Sequence, residues 1–136
     1  RTLNAEPEAT GSDAIAAASH QIADTLNINT VAAWTFSGST AFRIARERPN
    51  STVLALTPSQ NTARRLALVW GVHPIRTKDA SDIDDMAFRA CKFALREDYS
   101  RIGDRVIVVA GMPFGTPGAT NMVRIAFVNQ EHAAQA

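Results

Sequence analysis

Cysteine is nearly absent from this sequence. Cys91 stands alone among 136 residues. An internal disulfide is therefore excluded, and nothing asks for an oxidising compartment. A single thiol also cannot complete a zinc set with the scattered His20, His73 and His132. Excess charge is absent too, with 14 Lys and Arg against 13 Asp and Glu. Nucleic-acid binding calls for a basic stripe with interleaved aromatics, and an acidic membrane surface calls for net positive charge. Neither is present, so no nucleic-acid or membrane partner is expected. No apolar run approaches the ~20 residues of a membrane span. The opening RTLNAEPEATGS lacks the charged-then-apolar layout of a signal peptide. A cytoplasmic location is expected. The chain starts at Arg1 rather than Met, which suggests a fragment.

What remains is an ordinary globular composition, 46% hydrophobic and 20% charged, well outside the disordered range. The length is that of one domain, enough to bury roughly two-thirds of its unfolded surface without staples. Residues 1–11 are polar and aperiodic, and read as a linker or tail. Residues 12–129 read as the domain and 130–136 as a second tail.

Along the domain, an Ala-rich helix is predicted over 13–26, opened by Thr10 or Ser12 and ended by 27–29. TVAAWT at 30–35 is a short apolar strand. A helix over 40–48 follows and stops at Pro49. TVLALT at 52–57 is a second strand, and Pro58 sits near the start of a helix that runs to about Val69 and ends before Gly71. A short strand spans 72–76. The apolar stripe Ile83, Met86, Ala87, Ala90, Phe93 and Ala94 marks an amphipathic helix over 82–98. RVIVVA at 105–110 is the most continuous strand, and 122–128 is the last. Helical crossovers between strands imply a parallel sheet covered on both faces. The final connection has no helix, which implies an antiparallel return. The predicted fold is a three-layer α/β/α sandwich with a five-stranded mixed sheet, only the last strand reversed.

Two segments carry candidate chemistry. TFSGST sits where a strand ends and a helix begins, a point at which unpaired N–H groups and the helix dipole favour an anion. Thr35, Ser37, Ser39 and Thr40 add four hydroxyls, and Gly38 lets the backbone approach a ligand closely. This is a phosphate cradle, though not a P-loop, since the spacing and the lysine are missing. An ordinary Ser/Thr helix cap is the plainer reading of the same residues. GMPFGTPGATN follows the strongest strand on the same carboxyl edge, where ligands of open α/β sheets bind. Gly111, Gly115 and Gly118 with Thr116 and Thr120 make it a tight loop rich in backbone donors. It is also the turn that any antiparallel return would need.

Other residues read as structural. Ser37 has no recognisable His or acid partner and no G-x-S-x-G elbow. Asp82, Asp84 and Asp85 suit a helix start rather than a metal. Arg64 and Arg65 read as a solvated face, Trp70 with Gly71 as a packing anchor at a helix end, and Cys91 as a small buried hydrophobe. No catalytic residue, metal ligand or cofactor is assigned to this chain.

These motifs, in order and at matching spacing, resemble the C-terminal domain of bacterial-type pyruvate kinases. TFSGSTAFRIARERP is similar to that family's T-x-S-G-x-[ST]-A segment through Thr35, Ser37, Gly38, Thr40, Ala41, Arg46, Arg48 and Pro49. The next segment is matched by Thr57, Thr62, Ala63, Arg64, Leu66, Trp70, Gly71, Val72 and Pro74. The last is matched by Gly103, Asp104, Gly111, Gly115, Gly118, Thr120, Asn121 and Arg124. The resemblance implies a parent that moves a phosphoryl group from phosphoenolpyruvate to ADP in glycolysis with Mg²⁺ and often K⁺. That chemistry belongs to a preceding TIM barrel whose catalytic groups this chain lacks. The resemblance further implies a tetramer and a phosphorylated effector. One phosphate would lie on Thr35, Ser37, Gly38, Ser39 and Thr40, under the loop that holds Gly111, Gly115, Thr116, Gly118 and Thr120. Animal-type members supply a Trp and an Arg for a second phosphate. Here residues 79–86 are shorter, hold no Trp, and put Met86 at the Arg position, so a sugar monophosphate or AMP suits better than fructose 1,6-bisphosphate. Two rival readings stand beside this one: a stand-alone phosphometabolite-binding module, and an assembly domain with no effector.

Overall fold

The computed structural model describes residues 7–47, 51–111 and 120–134. Ten elements follow one another: α1 (Pro7–Leu26), β1 (Thr30–Trp34), α2 (Ser39–Glu47), β2 (Thr52–Thr57), α3 (Gln60–Leu66), β3 (Val72–Arg76), α4 (Ile83–Arg96), β4 (Arg105–Ala110), β5 (Met122–Phe127) and α5 (Gln130–Ala134). The sheet order is β3-β2-β1-β4-β5. The first four strands run parallel, and β5 returns antiparallel to β4 with Arg105 opposite Phe127. This is the α/β architecture and the single reversed strand that the spacing predicts.

The core divides at the sheet because successive strand residues face opposite sides. Val31, Ala33, Val53, Ala55, Ile107 and Val109 pack with Ala16, Ala23, Ala41, Ile44 and Leu66 from α1, α2 and α3. Ala32, Trp34, Leu54, Leu56, Val106 and Val108 pack with Met86, Ala90, Phe93 and Ala94 from α4. Both β1 and β4 are buried on both sides, which is why they read as unbroken apolar runs.

Local chemistry sets the helix ends. Asn27 adopts φ 57° and Asp98 φ 66°. Each is followed by a bond back five residues, Ile28 N–H to Ala23 O at 2.9 Å and Tyr99 N–H to Ala94 O at 2.8 Å, the Schellman pattern that satisfies terminal carbonyls. Asp82 caps α4 by accepting from Asp85 N–H at 2.8 Å, and Asp85 accepts from Ser81 N–H at 2.9 Å. The acidic cluster thus serves the helix start.

Three boundaries differ from the sequence expectations. First, α1 begins at Pro7, inside the stretch read as a tail, because proline costs nothing at a first helical position whose N–H has no partner anyway. Second, α5 occupies most of the segment read as the other tail. Asn129 opens it, its Oδ1 accepting from Glu131 N–H at 3.0 Å and its own N–H donating to His132 Nδ1 at 2.9 Å. Third, α3 ends at Leu66, short of Val69. The chain then turns through Val69 N–H to Leu66 O at 3.0 Å, with Gly71 at φ 82°. Trp70 is 86% exposed on that turn, so it is not the packing anchor expected.

The two sheet edges are unlike. At β3, the bonds Val53 N–H to Gly71 O and Thr77 N–H to Thr57 O put odd-numbered residues in the ladder. The missing donor of Pro74 therefore falls on the outer side. At β5, Ile125 and Phe127 are exposed along the opposite edge.

Candidate phosphate-binding site

The order in which strands are added reverses between the parallel neighbours β1 and β4, since β2 and β3 lie to one side and β5 to the other. The crevice beyond the carboxyl ends of such a strand pair is where open α/β sheets take ligands. Residues 35–40 leave β1 at this point, and Gly111 leaves β4 beside them.

Thr35 is buried and still in register, its N–H donating to Leu56 O at 3.0 Å. Its Oγ1 accepts from Gly38 N–H at 2.8 Å, which folds 35–38 into a tight turn. Gly38 has φ +95°, and a Cβ there would lie 3.3 Å from Leu66 Cδ2 and 3.4 Å from Thr62 Cγ2. The positive backbone angle favours glycine, and the space is tight, since a Cβ would ask Leu66 and Thr62 to give by a few tenths of an ångström. Phe42 N–H to Gly38 O at 3.0 Å is the first bond of α2, so the N–H groups of Thr40 and Ala41 have no carbonyl within the helix. The first turn carries no acidic residue to compete for that positive end. Ser37 and Ser39 are exposed above it, with their hydroxyls 3.1 Å apart and Ser39 N–H donating to Ser37 Oγ at 3.3 Å. The Thr35 and Ser37 hydroxyls thus take up the N–H groups of Gly38 and Ser39, while those of Thr40 and Ala41 stay open at the helix start.

The second segment meets the first through Thr120, near its end. Thr40 Oγ1 and Thr120 Oγ1 are 2.7 Å apart, and both threonines are buried. Gly111 is half-buried at the start of that segment. Gly115, Thr116 and Gly118 lie outside the described residues. Of the expected site residues, Thr35, Ser37, Gly38, Ser39, Thr40 and Thr120 come together on one rim. Within the set, Thr35, Thr40 and Thr120 hold the shape, while Ser37 and Ser39 offer exposed hydroxyls.

Sequence reading missed two arginines. Arg65 is not simply a solvated face. Its Nη2 donates to Ser37 O and to Thr62 Oγ1, each at 3.1 Å, and Thr62 Oγ1 donates to Phe36 O at 2.6 Å. With Ser59 capping α3 through Thr62 N–H at 3.1 Å, the spacing Ser59, Thr62, Arg65 puts three polar residues on one helical stripe. That stripe was the available signal. Arg89 is buried beneath the rim, its guanidinium 4.8 Å from the Trp34 ring. It donates to Thr77 Oγ1 at 2.8 Å, Asp79 O at 3.1 Å, Lys78 O and Asp85 Oδ2 at 2.9 Å. Partial burial pushes the Asp85 carboxyl pKa up, but the Ser81 N–H and the Arg89 guanidinium together hold it below the ordinary value. Met86, expected about where the family's second-phosphate arginine would stand, is fully buried in the core.

The remaining candidates are structural. His20 pairs with Asp24 at 3.1 Å, His73 lies against Tyr99 and His132 against Phe88. Cys91 is buried, and burial raises its thiol pKa to about 11 although Arg124 works the other way. Among the described residues no group of three His, Cys, Asp or Glu side chains is placed to hold a metal ion, and no helix is long and apolar enough to cross a membrane.

Residues 13–126 match the family described as pyruvate kinase, alpha/beta domain. The pyruvate kinase of Methylorubrum extorquens is 69% identical over 131 residues, which cover 96% of this chain and 27% of that protein. The pyruvate kinase of Staphylococcus haemolyticus is 43% identical over 108 residues, 79% of this chain and 18% of that protein. That of Staphylococcus aureus strain USA300 is 41% identical over the same span. The chain thus covers about a fifth to a quarter of the length of these relatives. With the fold, the reversal point and the match over nearly its whole length in agreement, this chain belongs to the pyruvate kinase α/β-domain family, as a pyruvate kinase C-terminal domain.

Proposed function

We propose that this domain binds a phosphorylated effector on the rim formed by residues 35–40 and Thr120, and so regulates a parent pyruvate kinase. The observation that carries this reading is the 2.7 Å contact between Thr40 and Thr120. It joins a helix start bearing unpaired N–H groups to the end of the glycine-rich segment, so an anion seated on one is felt by the other. Phosphate oxygens would accept from the N–H groups of Thr40 and Ala41 and from the Ser37 and Ser39 hydroxyls. Arg65 adds positive charge alongside. Buried Met86 supports a one-phosphate ligand, a sugar monophosphate or AMP. Regulation then follows as a population shift: contacts made only in the active assembly favour it by their differential affinity, typically ~1–3 kcal/mol. Phosphoryl transfer itself, with its Mg²⁺ and K⁺, belongs on this reading to the catalytic barrel of a cytoplasmic parent. The same reading gives the domain a part in tetramer assembly, supported by the open β5 edge with exposed Ile125 and Phe127.

The test is thermal stability of the chain with fructose 1,6-bisphosphate, glucose 6-phosphate, ribose 5-phosphate, AMP and inorganic phosphate. A bound ligand at about 100 times its dissociation constant adds about 2.7 kcal/mol. Ser37→Ala/Thr40→Ala is expected to abolish that gain. Retained stabilisation in this variant would remove the assignment. A chain that no phosphorylated ligand stabilises, yet that self-associates in sedimentation, would favour the assembly-only reading.

A further inference from the structure

Arg89 is the one Lys, Arg, Asp or Glu buried among the described residues. Burying a guanidinium is costly unless its N–H groups are matched. The two Nη groups donate to four acceptors: Thr77 Oγ1, the carbonyls of Lys78 and Asp79, and Asp85 Oδ2. Three of the four belong to residues 77–79, which follow β3 directly. Thr77 is itself fixed to the sheet, its N–H donating to Thr57 O at 2.9 Å. The planar fork of an arginine holds its acceptors in set directions. Arg89 therefore draws two consecutive carbonyls to one side.

The direction of those carbonyls decides the other face of the loop. In a trans peptide the C=O and the following N–H point opposite ways. With Lys78 O and Asp79 O turned in toward Arg89, the N–H groups of Asp79 and Ala80 are turned out. Neither donates to an acceptor among the described residues, whereas the next, Ser81 N–H, is taken by Asp85. Successive amides aimed one way make an anion-binding concavity.

The outer side of this loop is the wall of a groove of about 480 Å³, lined by Pro58, Arg76, Thr77, Lys78 and Asp79. Arg76 and Lys78 are exposed, and neither enters an ion pair among the described residues. Arg76 uses its Nε on Pro58 O at 3.4 Å, which leaves its Nη groups without a protein partner. Two cations thus face one carboxylate, that of Asp79, and the lining is net positive. The groove is separate from the rim at 35–40, because β3 stands two places from β1, roughly 10 Å across the sheet. We infer that the groove at the end of β3 is a second anion site. It takes a phosphate group, free or on a small metabolite, on the Asp79 and Ala80 amides, with Arg76 and Lys78 as counter-charges. Arg89 is the positioning residue that turns those amides outward. This site does not rest on the cradle proposed above.

The experiment is a ¹H–¹⁵N NMR titration of the 136-residue chain with inorganic phosphate, against sodium chloride at matched ionic strength. Saturable shifts are expected at Asp79 and Ala80. Arg76→Ala/Lys78→Ala alters only exposed side chains and should raise the midpoint about fivefold. Asp79→Asn removes a like charge and should lower it. Arg89→Lys keeps the charge, loses the fork, and should raise the midpoint at Asp79 and Ala80 while any titration of Thr40 and Ala41 keeps its own. If that variant does not fold, Thr77→Val, which removes a single bond to Arg89, takes its place. A lower midpoint for glucose 6-phosphate than for inorganic phosphate would assign the site to an ester, and the reverse order to the free ion; both uphold it. Absence of a saturable shift at Asp79 and Ala80 would overturn the site, as would a midpoint indifferent to Arg76→Ala/Lys78→Ala or raised by Asp79→Asn. Shifts confined to Thr40 and Ala41 would overturn it and leave the cradle standing. A midpoint unmoved by the Arg89 or Thr77 variant would overturn the positioning role.

Discussion

Gly38 is the residue on which the rim geometry turns. A side chain there meets two penalties together, a positive φ and a Cβ at 3.3 Å from Leu66. Gly38→Ala is therefore expected to lower stability by about 1–3 kcal/mol, seen as a lower urea midpoint with an unchanged slope. It should also weaken any phosphorylated ligand, because relief of the strained φ alters the turn that leads into α2. Cys91 makes a different kind of prediction. Its folded pKa of about 11 lies above the reference 9.0, so the folded state keeps the proton longer. Its contribution to stability is full below pH 9 and is lost as pH rises toward 11. Urea midpoints taken between pH 8 and 11 should fall, and Cys91→Ala should flatten that fall. A steeper fall in the variant would show that other groups govern the alkaline limb.

Much of this was legible in the sequence, for a physical reason. The TFSGST cradle is made of neighbours, and local patterns reveal neighbours. Arg65 and Arg89 were not legible in the same way, because what they hold is decided by packing. Arg89 reaches residues ten to twelve positions back in the chain, across a loop whose path sequence does not give. Trp70 failed for the converse reason. Apolar character argues for burial, yet hydrophobic residues need not be inside, and the turn after α3 carries Trp70 outward.

Among the elements, the strands were the plainest to read, since β1, β2 and β4 are buried on both sides and flanked by turn signals. Helix limits were harder. Pro7 and Gly11 discourage helix in isolation, and only the position of proline at the first turn makes the early start of α1 reasonable. The short α3 depends on its ends more than the longer helices do, because a seven-residue helix has little propagation to offset nucleation. Its N-cap is Ser59, which accepts from Thr62 N–H. Ser59→Ala is expected to cost about 1 kcal/mol and to speed hydrogen exchange at Thr62 and Ala63, while amides of α4 are unchanged. Uniform acceleration across both helices would mean that α3 does not fray by itself.

On the scale of the whole molecule, one covered sheet separates two rims: the Ser37 and Ser39 hydroxyls stand on one, and exposed Leu68 and Trp70 mark the β2–β3 end of the other. The unlike lateral edges carry a further consequence. A sheet with two open sides is a template for endless stacking. Here the Pro74 side cannot offer a full row of donors to a newcomer, so strand addition is confined to β5. On the proposed assembly reading, two copies joined there would pair β5 to β5 about a two-fold axis, each with its Pro74 edge facing outward.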